Sequence, residues 1–441
     1  MKIGLIYPSR SRKRTYTSSH PPLQHFFDTN PYVPSFFLPS LSLLTIAACT
    51  SKEHELRLID ERVGPIEFDE AFDIVGISIM TEQARRGYEI AEEFRKRGVL
   101  TVIGGIHASI LADEAKKHCD SVVVGEGELS WPVLLKEFAQ GEVKPFYDSP
   151  EPFDLSLSPA PRYDLVDPNV YPFFPVQTTR GCPLDCSFCS ATKVYGPVYR
   201  HKTTAQILAE LDALLKLSIN RKVVFNDDNM FLNRARSCEL FRAITPLRIK
   251  YFAESDISIA NDESLLRLMA KSGCTTLFIG FESLIAENLN AIQPKKWKLR
   301  FLEKYGAACA KIQEHGIQVV GAFILGFDLD DPAVFERTAE FVLNSHIFGQ
   351  FHILTPYPGT RIRDELVTQG RLRNDDDHWD LYSGFDPVYS PINMSKEDLA
   401  NGVLHIYESA YTKEAYEKRS RHMIQMLKNL RFTSTGNLPS S

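Results

Sequence analysis

Long hydrophobic runs are missing from this sequence: no stretch of its 441 residues approaches the roughly 18 apolar residues that span a bilayer. The opening Met1-Lys2-Ile3-Gly4-Leu5-Ile6-Tyr7 is too short and too unlike a signal peptide to direct secretion. From these absences a cytoplasmic protein is expected, in a reducing compartment and with no transmembrane segment. Excess basic charge is missing too, since 50 Lys and Arg face 56 Asp and Glu for a net charge of −6. That excludes a nucleic-acid binder that works through a broad basic surface. Cysteine is sparse, with eight residues, five of them scattered singly at positions 49, 119, 238, 274 and 309. A disulfide framework calls for a small, cysteine-dense chain in an oxidising compartment. The paired Cys or Cys/His clusters of a zinc site are lacking. No G-x-G-x-x-G follows the first apolar run, which argues against a nicotinamide domain.

What is present is a chain of ordinary globular composition, 44% hydrophobic and 24% charged, long enough for two or three cores. Near its middle lies Gly181-Cys182-Pro183-Leu184-Asp185-Cys186-Ser187-Phe188-Cys189, three cysteines within eight residues in the spacing Cys-x₃-Cys-x₂-Cys. Thiolates are the usual ligands of iron–sulfur clusters, and a cubane takes four. Three ligands on one loop leave one iron open to a substrate or cofactor, unless a distant cysteine fills the fourth place.

Apolar runs and helical patterns alternate through residues 1–140: strands at 3–7, 56–59, 74–79, 100–103 and 122–124, helices at 41–49, 84–97, 107–118 and 129–138. That order predicts a Rossmann-like, doubly wound parallel sheet whose ligand sits at the carboxyl ends of the strands. Residues 8–37 read as a long loop covering a cofactor or substrate, and the proline-rich residues 141–172 as a linker. From 173 to 360 a second series of six β/α units predicts a partial barrel, with its site at the strand ends. Residues 361–441 read as a helical C-terminal extension.

The cysteine spacing, with Phe188 just before the last cysteine, resembles the signature of the radical S-adenosylmethionine (SAM) superfamily. The resemblance implies a partial six-stranded β/α barrel and a [4Fe–4S] cluster on Cys182, Cys186 and Cys189. The open iron would chelate SAM, and reduction would cleave SAM to a 5′-deoxyadenosyl radical. For SAM it implies Phe188 beside the adenine and Asp227 or Asp228 on the amino group. It also implies Glu254 and Ser255 near the ribose, Gly280 and Glu282 in a Gly-x-Glu-Ser-like strand end, and Leu325 at the next. Tyr199 and Arg200 resemble the family as well, with a structural ion pair an equal reading of Arg200.

Upstream, Asp73-Ile74-Val75-Gly76-Ile77-Ser78, Ile103-Gly104-Gly105-Ile106-His107 and Val124-Gly125-Glu126-Gly127-Glu128 resemble the cobalamin-binding domain fused ahead of many such enzymes. This implies cobalamin contacts from Ser78, Thr81, Gly104, Gly105, His107, Gly125 and Glu126. His107 would bond a cofactor amide or simply cap its helix. The Asp-x-His-x-x-Gly that supplies a histidine to cobalt in corrinoid proteins is absent after the first strand, so no such ligand is expected.

The tail, with His378-Trp379-Asp380-Leu381-Tyr382, resembles the branch with hopanoid methylases and the anaerobic chlorophyll-ring cyclase. The implied function is a cobalamin-dependent methyltransferase acting on an unactivated carbon of a small molecule. Cyclisation, oxidation or rearrangement without methyl transfer is the alternative, and a non-catalytic corrinoid or metal carrier a remote third. An external electron donor such as flavodoxin or ferredoxin is implied as partner.

Overall fold

The computed structural model describes residues 1–9, 16–34, 37–149, 151–217, 222–292, 297–372 and 376–435. The chain divides into two compact units, the first of Met1–Ser19, Phe36–Asn220 and Thr355–Ser383, the second of His20–Ser35, Arg221–Leu354 and Gly384–Ser441.

In the first unit six strands form one sheet: β1 (Lys2–Tyr7), β2 (Glu55–Asp60), β3 (Ile74–Ser78), β4 (Leu100–Gly104), β5 (Ser121–Val124) and β6 (Phe146–Asp148). Their order is β2-β1-β3-β4-β5-β6, and each pair is parallel, for example Ile3↔Ile74 and Ile77↔Ile103. Strands buried on both faces read as nearly continuous apolar runs, as β3 does. One face packs Ile3, Leu5, Ile74 and Val102 against Leu43, Leu134 and Trp131 of the helices Leu41–Ala48 and Gly127–Gln140. The Trp131 indole, 2% exposed, donates to Thr50 Oγ1 at 2.8 Å, so its polar atom is satisfied in the core.

Three expectations are corrected in these segments. The supposed linker contributes β6, a three-residue strand set between Pro145 and Pro150 and too short to show alternation. The helix expected over 107–118 is two five-residue helices, Ile106–Ile110 and Ala112–Lys116, broken where Leu111 leaves helical geometry. In the 8–37 stretch, which reads as a structureless cover, Pro21–Thr29 is a helix of the second unit. Its opening prolines hide the periodicity, yet their fixed φ suits a first helical turn. Phe26 and Phe27 lie 6.1 and 5.0 Å from the Tyr407 ring, and Asn30 Nδ2 donates to Tyr411 O at 3.0 Å.

The second β/α series supplies β7 (Phe174–Val176), β8 (Thr179–Arg180), β9 (Arg200–His201), β10 (Lys222–Phe225), β11 (Lys250–Ser255), β12 (Cys274–Glu282), β13 (Gln318–Leu325) and β14 (Phe348–Ile353). The second sheet, in the second unit, has the order β14-β13-β12-β11-β10, parallel throughout. On its helix-covered face Phe281, Phe323 and Phe351 stack across three strands at 5.2 and 5.8 Å, with Phe341 and Tyr407 over them. Gly321 makes room for this ladder: a Cβ there would lie 2.9 Å from the Phe281 ring. The edge strand β14 is closed by side chains rather than by another strand. Tyr411 Oη accepts from Gly349 N at 3.0 Å and donates to Gly349 O at 2.6 Å, and Tyr407 Oη accepts from Phe351 N at 3.2 Å. Both tyrosines belong to the segment that begins with the helix Lys396–Ala410, capped by Ser395 and Asp398.

Candidate cluster and cofactor site

In the first unit, β8 leads into the cysteine loop and β9 leads out of it, paired antiparallel with Arg180 opposite Arg200. Gly181 turns the chain at φ +89, where a Cβ would come within 2.3 Å of Val198 O, so only glycine fits. Cys182 O accepts from Thr192 Oγ1 at 3.0 Å, and Cys189 N donates to Cys186 O at 3.2 Å. Asp185 adopts the left-handed conformation at φ 48. Its carboxylate pairs with Arg361, which also donates to Asp185 O at 2.8 Å, and Ile362 N donates to Ser187 O at 3.1 Å. Cys182 and Cys186 are half-buried and Cys189 is exposed, and none of the eight cysteines is in a disulfide. Among the described residues no three His, Cys, Asp or Glu side chains converge as ligands of a single ion do. Three thiols spread along a braced loop suit a multi-iron cluster, in which each thiolate takes a different iron.

The loop is also held from below. Glu126 Oε1 pairs with Arg180, and Glu128 Oε1 lies 2.9 Å from Arg180 Nη2. Arg200 Nη1 reaches Glu126 Oε2 at 2.7 Å and Phe153 O at 2.7 Å. Arg200 is thus the structural ion pair that stood as one of its two readings. Burial pulls the Arg180 guanidinium down, but Glu128 and Glu126 outweigh it and hold the group above its ordinary value.

The residues expected near cobalamin gather at the carboxyl ends of β3, β4 and β5. Ser78 Oγ is 3.0 Å from Ser42 Oγ, Thr81 is buried, and Gly104 closes β4. Gly105 turns at φ +97 against Ile79 O, and Gly125, at φ +74, donates from its N to Ser109 Oγ at 2.9 Å. A Cβ at Gly125 would meet nothing within 4 Å, so that glycine-lined strand end is open to a bulky ligand. His107 is fully buried, its Nε2 lying 3.1 Å from Tyr88 Oη and 3.3 Å from Glu114, and its ring stands edge-on to Trp379. Glu114 also accepts from Trp379 Nε1 at 2.8 Å.

In the second unit, Asp227 and Asp228 follow β10, with Asp227 2% exposed, and Glu254 and Ser255 close β11. Glu254 keeps some surface accessible, yet its carboxyl is pushed up to about 8, first by burial and then by Asp228 and Asp227. Asn229 Nδ2 donates to Asp256 Oδ2 at 2.9 Å, and Asp256 caps the next turn by accepting from Ser258 N at 2.8 Å. At the end of β12, Glu282 sits at φ 65, its carboxylate folded over Gly280 and paired with Lys298, which is 5% exposed. Leu325 is buried, and after it Gly326 N and Phe327 N donate to Asp330 at 2.7 and 3.0 Å.

Residues 176–342 match the radical SAM superfamily and residues 34–135 the B12 binding domain. The chain is 30% identical over 390 residues to the bacteriochlorophyllide d C-12(1)-methyltransferase of Chlorobaculum tepidum, covering 86% of this chain and 84% of that one. The chain belongs to the B12-binding branch of the radical SAM superfamily. It is 28% identical over 423 residues to the hopanoid C-2 methylase of Rhodopseudomonas palustris, covering 93% of this chain and 78% of that one. A similar fold is that of the radical SAM methyltransferase TsrM from Kitasatospora setae, with TM-score 0.68, 15% identity, and coverage of 98% and 99%. The cofactors are a [4Fe–4S] cluster, SAM and cobalamin, and the chain is an enzyme. Among the described residues no helix is long and apolar enough to cross a membrane.

For a radical SAM enzyme, the residues that sequence reasoning missed are informative. Arg180 and Lys298 look like ordinary surface charges in the sequence, because their partners are distant in the chain. His352 was missed as well. On β14 the alternation that sends Phe351 toward the helices sends His352 and Gln350 to the opposite face. Phe252 and Phe278, 6.2 Å apart, share that face on β11 and β12. His352 Nε2 is 3.4 Å from Gln350 Oε1, and burial pulls its imidazole down to about 4, so it is neutral near pH 7.

Glu254 carries a pH prediction. Its folded pKa of about 8 lies above the ordinary 4.5, so the folded state keeps a proton that the unfolded chain releases. The associated stability is fully present below the unfolded value and is lost as pH rises through the folded one. The melting temperature of Glu254→Gln relative to the parent is therefore expected to rise between about pH 5 and about pH 8.5. A constant difference across that range would show that Glu254 ionises normally.

Proposed function

We propose that this enzyme transfers a methyl group to an unactivated carbon of a hydrophobic, ring-bearing small molecule. The relationship over most of the chain to a methyltransferase carries this reading. The inner face of the second sheet supports the apolar substrate, since Phe252 and Phe278 line it and His352 is neutral there. Bound cluster and SAM supply a hydrogen-abstracting radical, and cobalamin supplies the methyl group.

Cys182, Cys186 and Cys189 hold the cluster, with Phe188 beside the SAM adenine. Asp227 and Asp228 take the SAM ammonium, a charge-assisted contact that carboxylates at a strand end make well. Glu254 and Ser255 lie toward the ribose. Gly280 and Leu325 offer backbone at the next strand ends. Glu282 acts through Lys298, since that ion pair already occupies its carboxylate. Ser78, Thr81, Gly104, Gly105 and Gly125 border cobalamin. His107 and Glu126, which the resemblance also assigns to cobalamin, are engaged within the protein. The enzyme works in a reducing cytoplasm and takes electrons from a flavodoxin or ferredoxin.

The test is anaerobic reconstitution with iron, sulfide and cobalamin, then dithionite, SAM and a panel of polycyclic substrates. 5′-Deoxyadenosine, S-adenosylhomocysteine and a methylated product are expected together. Deoxyadenosine with product but without S-adenosylhomocysteine would replace methyl transfer by cyclisation or oxidation. Zinc in place of iron would remove the radical reading altogether.

A further inference from the structure

Glu126 lies in Gly125-Glu126-Gly127-Glu128, a phrase that sequence resemblance attaches to cobalamin. Its surroundings point elsewhere. An ionised carboxylate offers about four acceptor positions. At Glu126 four contacts take them: Arg180 Nη1 and Arg200 Nη1 on Oε1, Arg200 Nη1 at 2.7 Å and Phe153 N at 2.9 Å on Oε2. Its side chain is 6% exposed, and that of Glu128, the second partner of Arg180, is 4% exposed. Arg180 stands two positions before Cys182, and Arg200 is its cross-strand neighbour where the chain leaves the cysteine loop. One buried carboxylate therefore ties the entrance of the cluster loop to its exit.

We infer that Glu126, assisted by Glu128, is a positioning residue for the cluster loop: it staples Arg180 to Arg200, fixes the spacing of the three thiols and balances two buried guanidinium charges beside them. This rests on the assignment of Cys182, Cys186 and Cys189 as cluster ligands. Exposed ion pairs contribute little, but removing one partner of a buried pair leaves an uncompensated charge in a poorly solvated place. Cluster potentials respond to local charge and hydrogen bonding. Neutralising Glu126 leaves excess positive charge near the loop, which favours the reduced, more negative cluster and moves its potential upward.

The experiment compares the reconstituted full chain with Glu126→Gln and with Glu128→Gln, the milder change should the first fail to fold. Three quantities are read: cobalamin affinity from the visible spectrum, the rate of iron loss to a chelator, and the cluster midpoint potential from an electron-paramagnetic-resonance titration. For Glu126→Gln we expect cobalamin affinity within twofold of the parent, iron loss at least tenfold faster and a more positive potential. Glu128→Gln should move both cluster readings the same way by less. A tenfold loss of cobalamin affinity with an unchanged cluster would make Glu126 a corrin contact and overturn the inference. Unchanged readings in both variants, with iron bound in the parent, would overturn it alone. A parent that takes up no iron would overturn the ligand assignment and this inference with it.

Discussion

Replacing Cys186 by alanine is expected to abolish both 5′-deoxyadenosine and S-adenosylhomocysteine formation and to strip the chain of most of its iron. Cys186 is the middle of the three thiols, and the loop around it is braced at both neighbouring residues. Asp185 and Ser187 on either side are fixed by Arg361 and Ile362 N, and Cys186 O accepts from Cys189 N whatever the side chain is. The change therefore removes the proposed ligand while these contacts of its neighbours remain. Two thiolates from this loop leave two irons of a cubane without protein ligands, where the chemistry calls for one. Iron content should fall from about four per chain toward zero, while the melting temperature of the apo-protein shifts little. Iron retained at the parental level would show that the cluster is held elsewhere. Cys189→Ala should behave alike, and Cys274→Ala should not, since Cys274 is 5% exposed in the core and burial pushes its thiol far up.

The second large effect is expected on stability, from Lys298→Met. Lys298 Nζ lies 2.5 Å from Glu282 Oε1, with side chains 6% and 11% exposed. Glu282 is held at φ 65, a conformation that a residue with a Cβ adopts only when its surroundings enforce it. Methionine keeps the length and apolar stem of the lysine but leaves the carboxylate buried without its cation. Breaking one side of such a pair costs about 3–5 kcal/mol. The double variant Lys298→Met/Glu282→Gln should recover much of that loss, because it removes both charges together. Denaturant titrations of the three proteins measure this, as a shift in the transition that reports the second unit. A single-variant loss below about 1 kcal/mol, the range of exposed pairs, would show that the pair is solvated.

Most of both sheets was legible in the sequence, because parallel strands buried on both faces announce themselves as short apolar runs between helical patterns. The expected strand at 74–79 is β3, one residue shorter, and the expected strand at 100–103 is β4, one residue longer. Short or masked patterns failed. The strand β6 is too brief to alternate, and the two prolines of Pro21–Thr29 look like loop chemistry although they open a helix. The break at Leu111 has no local signal such as proline or glycine, and we have no physical account of it from the sequence.

The cysteine spacing, the strand-end phrases and their order belong to the sequence alone, since a cluster loop needs its ligands close in the chain. They suffice to name the cofactors. The tertiary structure alone decided what each charged residue near that loop is for. Glu126 and Arg180 lie 54 positions apart, and nothing local in either shows that both are buried and paired. The same holds for Glu282 with Lys298, and for the neutral His352 beside Gln350. Long-range electrostatics and burial depend on which segments meet in space, a property of the packed chain that periodicity and spacing do not carry.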